Sequence, residues 1–228
     1  MSEESLAINH LVDGEAGRVA SALRQLNHVL VSKQLPLDVV CHLASTLEVL
    51  VNELPSDLPA RQRHFGVAEA GSVAGSGFDY GAGHSLSYRP ISGNCNALAA
   101  PAKYFKCSDA DGVYSLKAKV TFGPAFEGPP SLVHGGYIAA YMDEVFGIAI
   151  SHSDLTDPAM TGTLKTIYRL PVPLNTELTY EVKMAGEERR KVFMQCTLKD
   201  AQGQLYAEGE AIFLKIDPAI YAQMGGGA

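Results

Sequence analysis

The chain has 228 residues, 46% hydrophobic and 19% charged, with a formal net charge of −7 at pH 7. That is the make-up of a globular protein long enough for one well-buried domain and an appendage. The acidic balance, with no basic run to offset it, excludes a nucleic-acid footprint.

The first residues, Met-Ser-Glu-Glu-Ser, are acidic and lack an apolar core, so neither a secretory signal nor a transit peptide is expected. Cys41, Cys95, Cys107 and Cys196 are scattered without CxxC or zinc spacing, which predicts reduced thiols in a cytoplasmic protein. Residues 15–54 are expected to form two helices. Val19, Leu23, Leu26 and Leu30 mark one apolar stripe, and Leu37, Val40, Leu43, Leu47, Leu50 and Leu54 a second, with Pro36 breaking between them. We assign 1–55 to a helical hairpin whose stripes dock on the core or on a second protomer, outside the chemistry.

Residues 56–96 form a Gly/Ser-rich connecting segment. Its glycines match neither GxxxxGK[ST] nor GxGxxG, no serine of the chain lies in GxSxG, and His64 and His84 have no metal-ligand spacing, so no metal is expected. From residue 97 to 217 the pattern is that of the core domain, followed by a tail over 218–228. A strand is expected near 98–107, then a turn at Asp109-Ala110-Asp111-Gly112. Tyr114, Leu116, Ala118, Val120 and Phe122 alternate with polar residues as in a half-buried strand. Further strands are expected over Met160–Leu170, through Leu178–Met184, over Val192–Leu198 and over Leu205–Lys215. Antiparallel strands around one apolar helix predict an α+β fold in which the sheet wraps the helix.

That helix, Tyr137–Ile150, follows a rigid stretch, Phe126-Glu127-Gly128-Pro129-Pro130-Ser131-Leu132-Val133-His134-Gly135-Gly136. It is apolar nearly all round, too short to span a membrane, and charged only at Asp143 and Glu144. A carboxylate there needs a partner or a task. At ~100° per residue, Asp143 shares a small-residue face with Gly136, Ala139, Ala140 and Gly147, and Glu144 lies on another stripe. Gly135 and Gly136 stand at the helix start, where unpaired N–H groups attract an anion or a polarised carbonyl oxygen. They are ~10 Å from Asp143 along the axis, too far for one small reacting group. Two copies packed antiparallel would bring the two ends together, so a homodimer, or a dimer of dimers, is expected.

The array Phe-Glu-Gly-Pro-Pro-x-x-Val-His-Gly-Gly, with Asp nine residues after the histidine, resembles the PaaI-type acyl-CoA thioesterases of hotdog fold, including the mammalian mitochondrial members. The likeness runs from about Asn94 to Ile216. It takes in Gly-Asn-x-Asn-x-Leu-Ala-x-Pro at 93–101 and Tyr168-Arg169-Leu170-Pro171-Val172-Pro173-Leu174. Ser131 stands where the family commonly has glycine, and Leu170 where arginine is expected.

The resemblance implies hydrolysis of an acyl-CoA thioester, with coenzyme A as part of the substrate and no separate cofactor. Asp143 is then nucleophile or general base, and the Gly136 N–H the oxyanion donor, with Gly135 beside it. His134 orients the loop or the thioester. Thr161 matches a water-positioning hydroxyl, with Thr163 as fallback on the same strand face, and Arg169 could meet coenzyme phosphates. Arg189, Arg190 and Lys191 read as a solvated hairpin. A hotdog dehydratase would need a His–acid pair on another motif, which the sequence lacks. A non-catalytic acyl-CoA sensor or carrier-binding module stays as the alternative.

Overall fold

The computed structural model describes residues 3–58, 85–108, 114–153, 155 and 157–220. Six antiparallel strands form one sheet, β1 (Lys103–Ser108), β2 (Tyr114–Thr121), β3 (Ala159–Tyr168), β4 (Glu177–Glu188), β5 (Lys191–Asp200) and β6 (Leu205–Lys215), in the order β1-β2-β4-β5-β6-β3. A single long helix, α3 (Gly135–Ser151), lies against β2 to β6. This is the α+β arrangement expected from the pattern, and the hotdog fold that the resemblance implies.

The core follows from period-2 strands meeting a period-3.6 helix. Leu116, Ala118 and Val120 of β2, Leu178, Tyr180 and Val182 of β4, and Val192, Met194, Cys196 and Leu198 of β5 are buried against Tyr141, Met142, Val145 and Phe146 of α3. Tyr141 stacks on Tyr180 at 5.2 Å between ring centroids and meets Phe122 edge-on at 5.3 Å. Its hydroxyl donates to the Ala100 carbonyl, so a buried polar atom is satisfied.

Two helices precede the core, α1 (Glu3–Ser32) and α2 (Leu37–Asn52), separated at Pro36 as expected. They do not pack along one another, so the hairpin expected over 1–55 is instead two successive helices. Nor do the leucine stripes dock on the core: Val19, Leu23, Leu30, Leu37, Leu50 and Leu54 are exposed, and α2 buries no residue. The face of α1 that meets the core is small and polar. Ala20 is 3% exposed, Gly17 lies against Asn94 and Cys95, and Arg24 donates to the carbonyls of Asn94 and Asn96 at 3.1 and 2.8 Å.

The connecting segment also departs from expectation. Residues 59–84, with His64, His84 and the glycine cluster, lie outside the described residues, as does the 109–112 turn. Residues 85–96, however, form compact turns packed on α3, with Ser87, Ser92 and Gly93 buried. Cys41, Cys95, Cys107 and Cys196 are thiols, not disulfides. No helix among the described residues is long and apolar enough to cross a membrane.

Candidate functional site

The segment before α3 is a small structure in its own right. Gly128 N–H donates to the Leu132 carbonyl, Val133 N–H to Val172 and His134 N–H to Phe126, pinning the loop between its own ends and residues 172–174. Ser131 adopts φ 65°, the left-handed region in which glycine is unstrained. That is the backbone reason for the glycine expected there. The Glu127 carboxylate accepts from the Ser131 N–H at 2.5 Å and anchors the strained residue. A Cβ on Gly128 would stand 2.8 Å from the His134 Cα, so that glycine is required by close approach.

His134 is the N-cap of α3, its Nδ1 accepting from the Gly136 N–H at 3.0 Å. This arrangement leaves Nε2 to carry the proton of the neutral ring. The Gly136 donor assigned from sequence therefore already has a partner within the chain. Gly135 N–H, one residue earlier, has no protein acceptor among the described residues. Tyr168, at the far end of β3, donates its hydroxyl to the Gly135 carbonyl at 2.8 Å.

Two turns along α3, Asp143 is exposed rather than enclosed, and its Oδ1 accepts from Thr161 Oγ1 at 2.9 Å. The structure thus brings Thr161 to Asp143 and does not bring Thr163 there. Between the two threonines the register slips at Gly162: Thr161 pairs with Phe213 and Thr163 with Ile212. Cross-strand partners share a sheet face, and Phe213 is a buried core residue meeting Phe146 of α3 at 6.5 Å. Thr161 consequently faces the helix and Thr163 the opposite side. The expectation that both lie on one face fails because of this bulge, for which a glycine inside a strand was the available sign.

The helix is less enclosed than its composition suggests. Gly136 and Asp143 are exposed, Ala139, Ala140 and Gly147 are half-buried, and a Cβ on Gly147 would meet nothing within 4 Å. The small-residue face is therefore open along its length, and β3 beside it is an edge strand.

Glu144 lies on the other side, buried. Its two oxygens accept from Ser92 Oγ at 2.6 Å and Arg89 Nη1 at 3.1 Å. The charged partner of this carboxylate is thus Arg89, from the segment read as a linker. Arg169 is paired through Nε with Glu208 at 2.6 Å, directly after Tyr168. Among the residues of the solvated hairpin, Arg190 donates to the Lys215 carbonyl. A partly open cavity of about 260 Å³ lies where α1 meets the helix start, lined in part by Arg24, His28, Leu98, Phe126 and Tyr137. Among the described residues there is no cluster of His, Cys, Asp and Glu able to hold a metal ion.

Comparison with known proteins places this geometry. The thioesterase superfamily profile matches residues 131–207. The acyl-coenzyme A thioesterase THEM4 of Xenopus laevis is 35% identical over 97 residues, 42% of this chain and 43% of that protein. THEM4 of Mus musculus is 37% identical over 98 residues, 42% of this chain and 41% of that protein. The chain thus spans less than half the length of these curated relatives. A crystal structure of a thioesterase superfamily protein superposes with a TM-score of 0.67 at 27% identity, covering 88% of this chain and 90% of that one.

Proposed function

We propose that this chain, which belongs to the hotdog thioesterase superfamily, hydrolyses acyl-CoA thioesters in a homodimer whose site is shared between two copies. The observation that carries the mechanism is the Thr161–Asp143 hydrogen bond at the open face of α3. Because the Thr161 hydroxyl gives its proton to Oδ1, it has lone pairs with which to hold a water, and Asp143 Oδ2 is left to take that water's proton. The hydroxide adds to the thioester carbonyl, the C–S bond breaks, and the thiolate of coenzyme A leaves with the proton held by Asp143. Asp143 is accordingly a general base and Thr161 the residue that places the water.

The carbonyl oxygen needs donors where its charge develops. Gly135 N–H, Gly136 N–H and His134 Nε2–H are the candidates, all at the other end of the same helix. One chain cannot supply both ends to one carbonyl, since they are ~10 Å apart. A second copy laid antiparallel on the face of Gly136, Ala139, Ala140 and Gly147 would set its helix start against Asp143. The small side chains of that face permit the close approach, and the edge strand β3 offers unpaired backbone alongside. Arg169 would meet the coenzyme phosphates in competition with Glu208.

The test is thiol release from short, medium, long and aryl acyl-CoAs by the wild type and Asp143→Asn. Turnover by the wild type and a loss of at least ~100-fold in the variant is expected. Mixing Asp143→Asn chains with Gly136→Pro chains, which lack that amide proton, should restore part of the activity in heterodimers. Absence of thiol release across the panel from folded protein would overturn the reading, and a fully active monomer would overturn the shared site.

A further inference from the structure

The contact between α1 and the core converges on one histidine. His28 Nδ1 accepts from the Ala125 N–H at 3.0 Å, and its ring lies 6.1 Å from that of Phe126 at a tilt of 59°. The core side is shaped to receive it. A Cβ on Gly123 would stand 2.7 Å from His28 Cε1 and 2.9 Å from Nε2, so a side chain there would expel the ring. One residue of the 124–126 turn, Phe126, then carries the contact onward. The Phe126 carbonyl accepts from the His134 N–H at 2.9 Å, and the Phe126 ring meets Tyr137 edge-on at 4.9 Å. His134 in turn caps α3 through the Gly136 N–H. An unbroken series of hydrogen bonds and ring contacts therefore runs from α1 to the helix start.

We propose that α1 is a working part of the site and that His28 is a positioning residue, holding the Ala125–Phe126 turn so that His134 and the first turn of α3 are set for the thioester carbonyl. This rests on the thioesterase reading for its kinetic consequence but not for its structural one. It also reverses the expectation that the N-terminal helices merely cover the core. Geometry explains why a distant helix matters: a displacement of about 1 Å at a positioning element costs on the order of 100-fold in rate. The docking face of α1, Gly17–Ala20–Arg24–His28, is too small and polar to be a plain hydrophobic cover.

The experiment compares His28→Ala, His28→Asn, Gly123→Ala and the double variant His28→Ala/Gly123→Ala in the full chain. Val19→Ser on the exposed side of α1 is the control. His28→Ala and Gly123→Ala should each lower kcat about 10-fold or more with KM changed less than 3-fold. The double variant should be no worse than either, because both break the same contact. His28→Asn, which keeps an acceptor near the Nδ1 position, should recover most of the loss, and Val19→Ser should match the wild type. Two readouts need no turnover: faster hydrogen exchange at the Ala125 and His134 amides, and a shifted His134 Nδ1 nitrogen resonance, in His28→Ala but not in Val19→Ser. Unchanged exchange and resonance would overturn the relay even if the chain proves inactive on thioesters. Unchanged kcat in a proven thioesterase, or equal loss of kcat in His28→Asn and His28→Ala, would overturn the positioning role.

Discussion

Replacing Arg89 by methionine gives a quantitative test of how the 85–96 segment is held. The Glu144 side chain is 9% exposed and its two partners are Arg89 and Ser92, while the Arg89 side chain is 34% exposed. Removing one partner of a buried ion pair costs about 3–5 kcal/mol, because the remaining charge is left uncompensated. Here solvent reaches the arginine and the serine still donates, so the penalty is discounted to about 2 kcal/mol. For a chain of this size that corresponds to a fall in Tm of about 4–8 °C. Adding Glu144→Gln removes the stranded charge while keeping the shape and an acceptor for Ser92. The double variant should therefore be more stable than Arg89→Met alone, with a coupling of at least about 1 kcal/mol. Urea denaturation of the four proteins closes the cycle, and thiol release from an acyl-CoA should stay within a few-fold in all of them, since Glu144 lies away from Asp143. If Arg89→Met unfolds within about 0.5 kcal/mol of the wild type, or the two changes simply add, the clamp is not what holds the segment.

Thr161→Val should slow the proposed hydrolysis by about 10–100-fold and Thr163→Val by less than 3-fold, measured as kcat on one good acyl-CoA; equal effects would contradict the bulge at Gly162. Ser131→Gly should stabilise the protein by about 0.5–1 kcal/mol, the relief of a left-handed residue less the added freedom of glycine when unfolded, seen as a higher urea midpoint. Burial, and then the charge of Arg24, hold the His28 imidazole below its ordinary value of 6.5. The facing 123–126 turn offers it only backbone and the Phe126 ring. A depressed value in the folded state means stability that is full above the unfolded value and lost as pH falls through the folded one. The protection of the Ala125 amide, its exchange taken relative to the intrinsic rate at each pH, should therefore fall as pH drops through the depressed folded-state value of His28 in the wild type, and should lack that acid-side fall in His28→Asn.

The sheet and the central helix were legible because their signal is repetition. Leu116, Ala118 and Val120 announce a strand, and the apolar run through Ile150 announces a buried helix. Asp143 stood out for the same reason, as a charge interrupting that run. Features set by a single local event were not legible in this way. Alternation places Thr161 and Thr163 together, and only the extra residue at Gly162 separates them. The face of α1 that docks carries Gly17, Ala20, Arg24 and His28, which scarcely register in an apolar count, whereas Val19, Leu23 and Leu30, which do, are exposed in this single chain. The Arg89–Glu144 pair joins residues 55 apart in sequence, and nothing near Arg89 marks it as a partner.

The helix start is arranged in a way that suits the proposed substrate. Two amides and one imidazole stand there, and one amide is already satisfied by the imidazole. That bond fixes the His134 ring, whose Cα is backed by Gly128 at a distance no Cβ would tolerate. It also turns the Nε2 proton, rather than Nδ1, outward. In the proposed mechanism the carbonyl oxygen therefore has two routes to stabilisation. It can take Gly135 N–H and Nε2–H while the cap stays intact, or displace Nδ1 from Gly136 at the cost of the cap. The first route keeps every existing hydrogen bond and requires no reorganisation as charge develops, which is the condition under which such donors contribute most. It assigns His134 a direct donor role and makes Gly136 the residue that orients it. His134→Ala should then impair the chemical step more than loss of the Gly136 amide proton does. The opposite order in single-turnover rates would restore Gly136 as the principal donor.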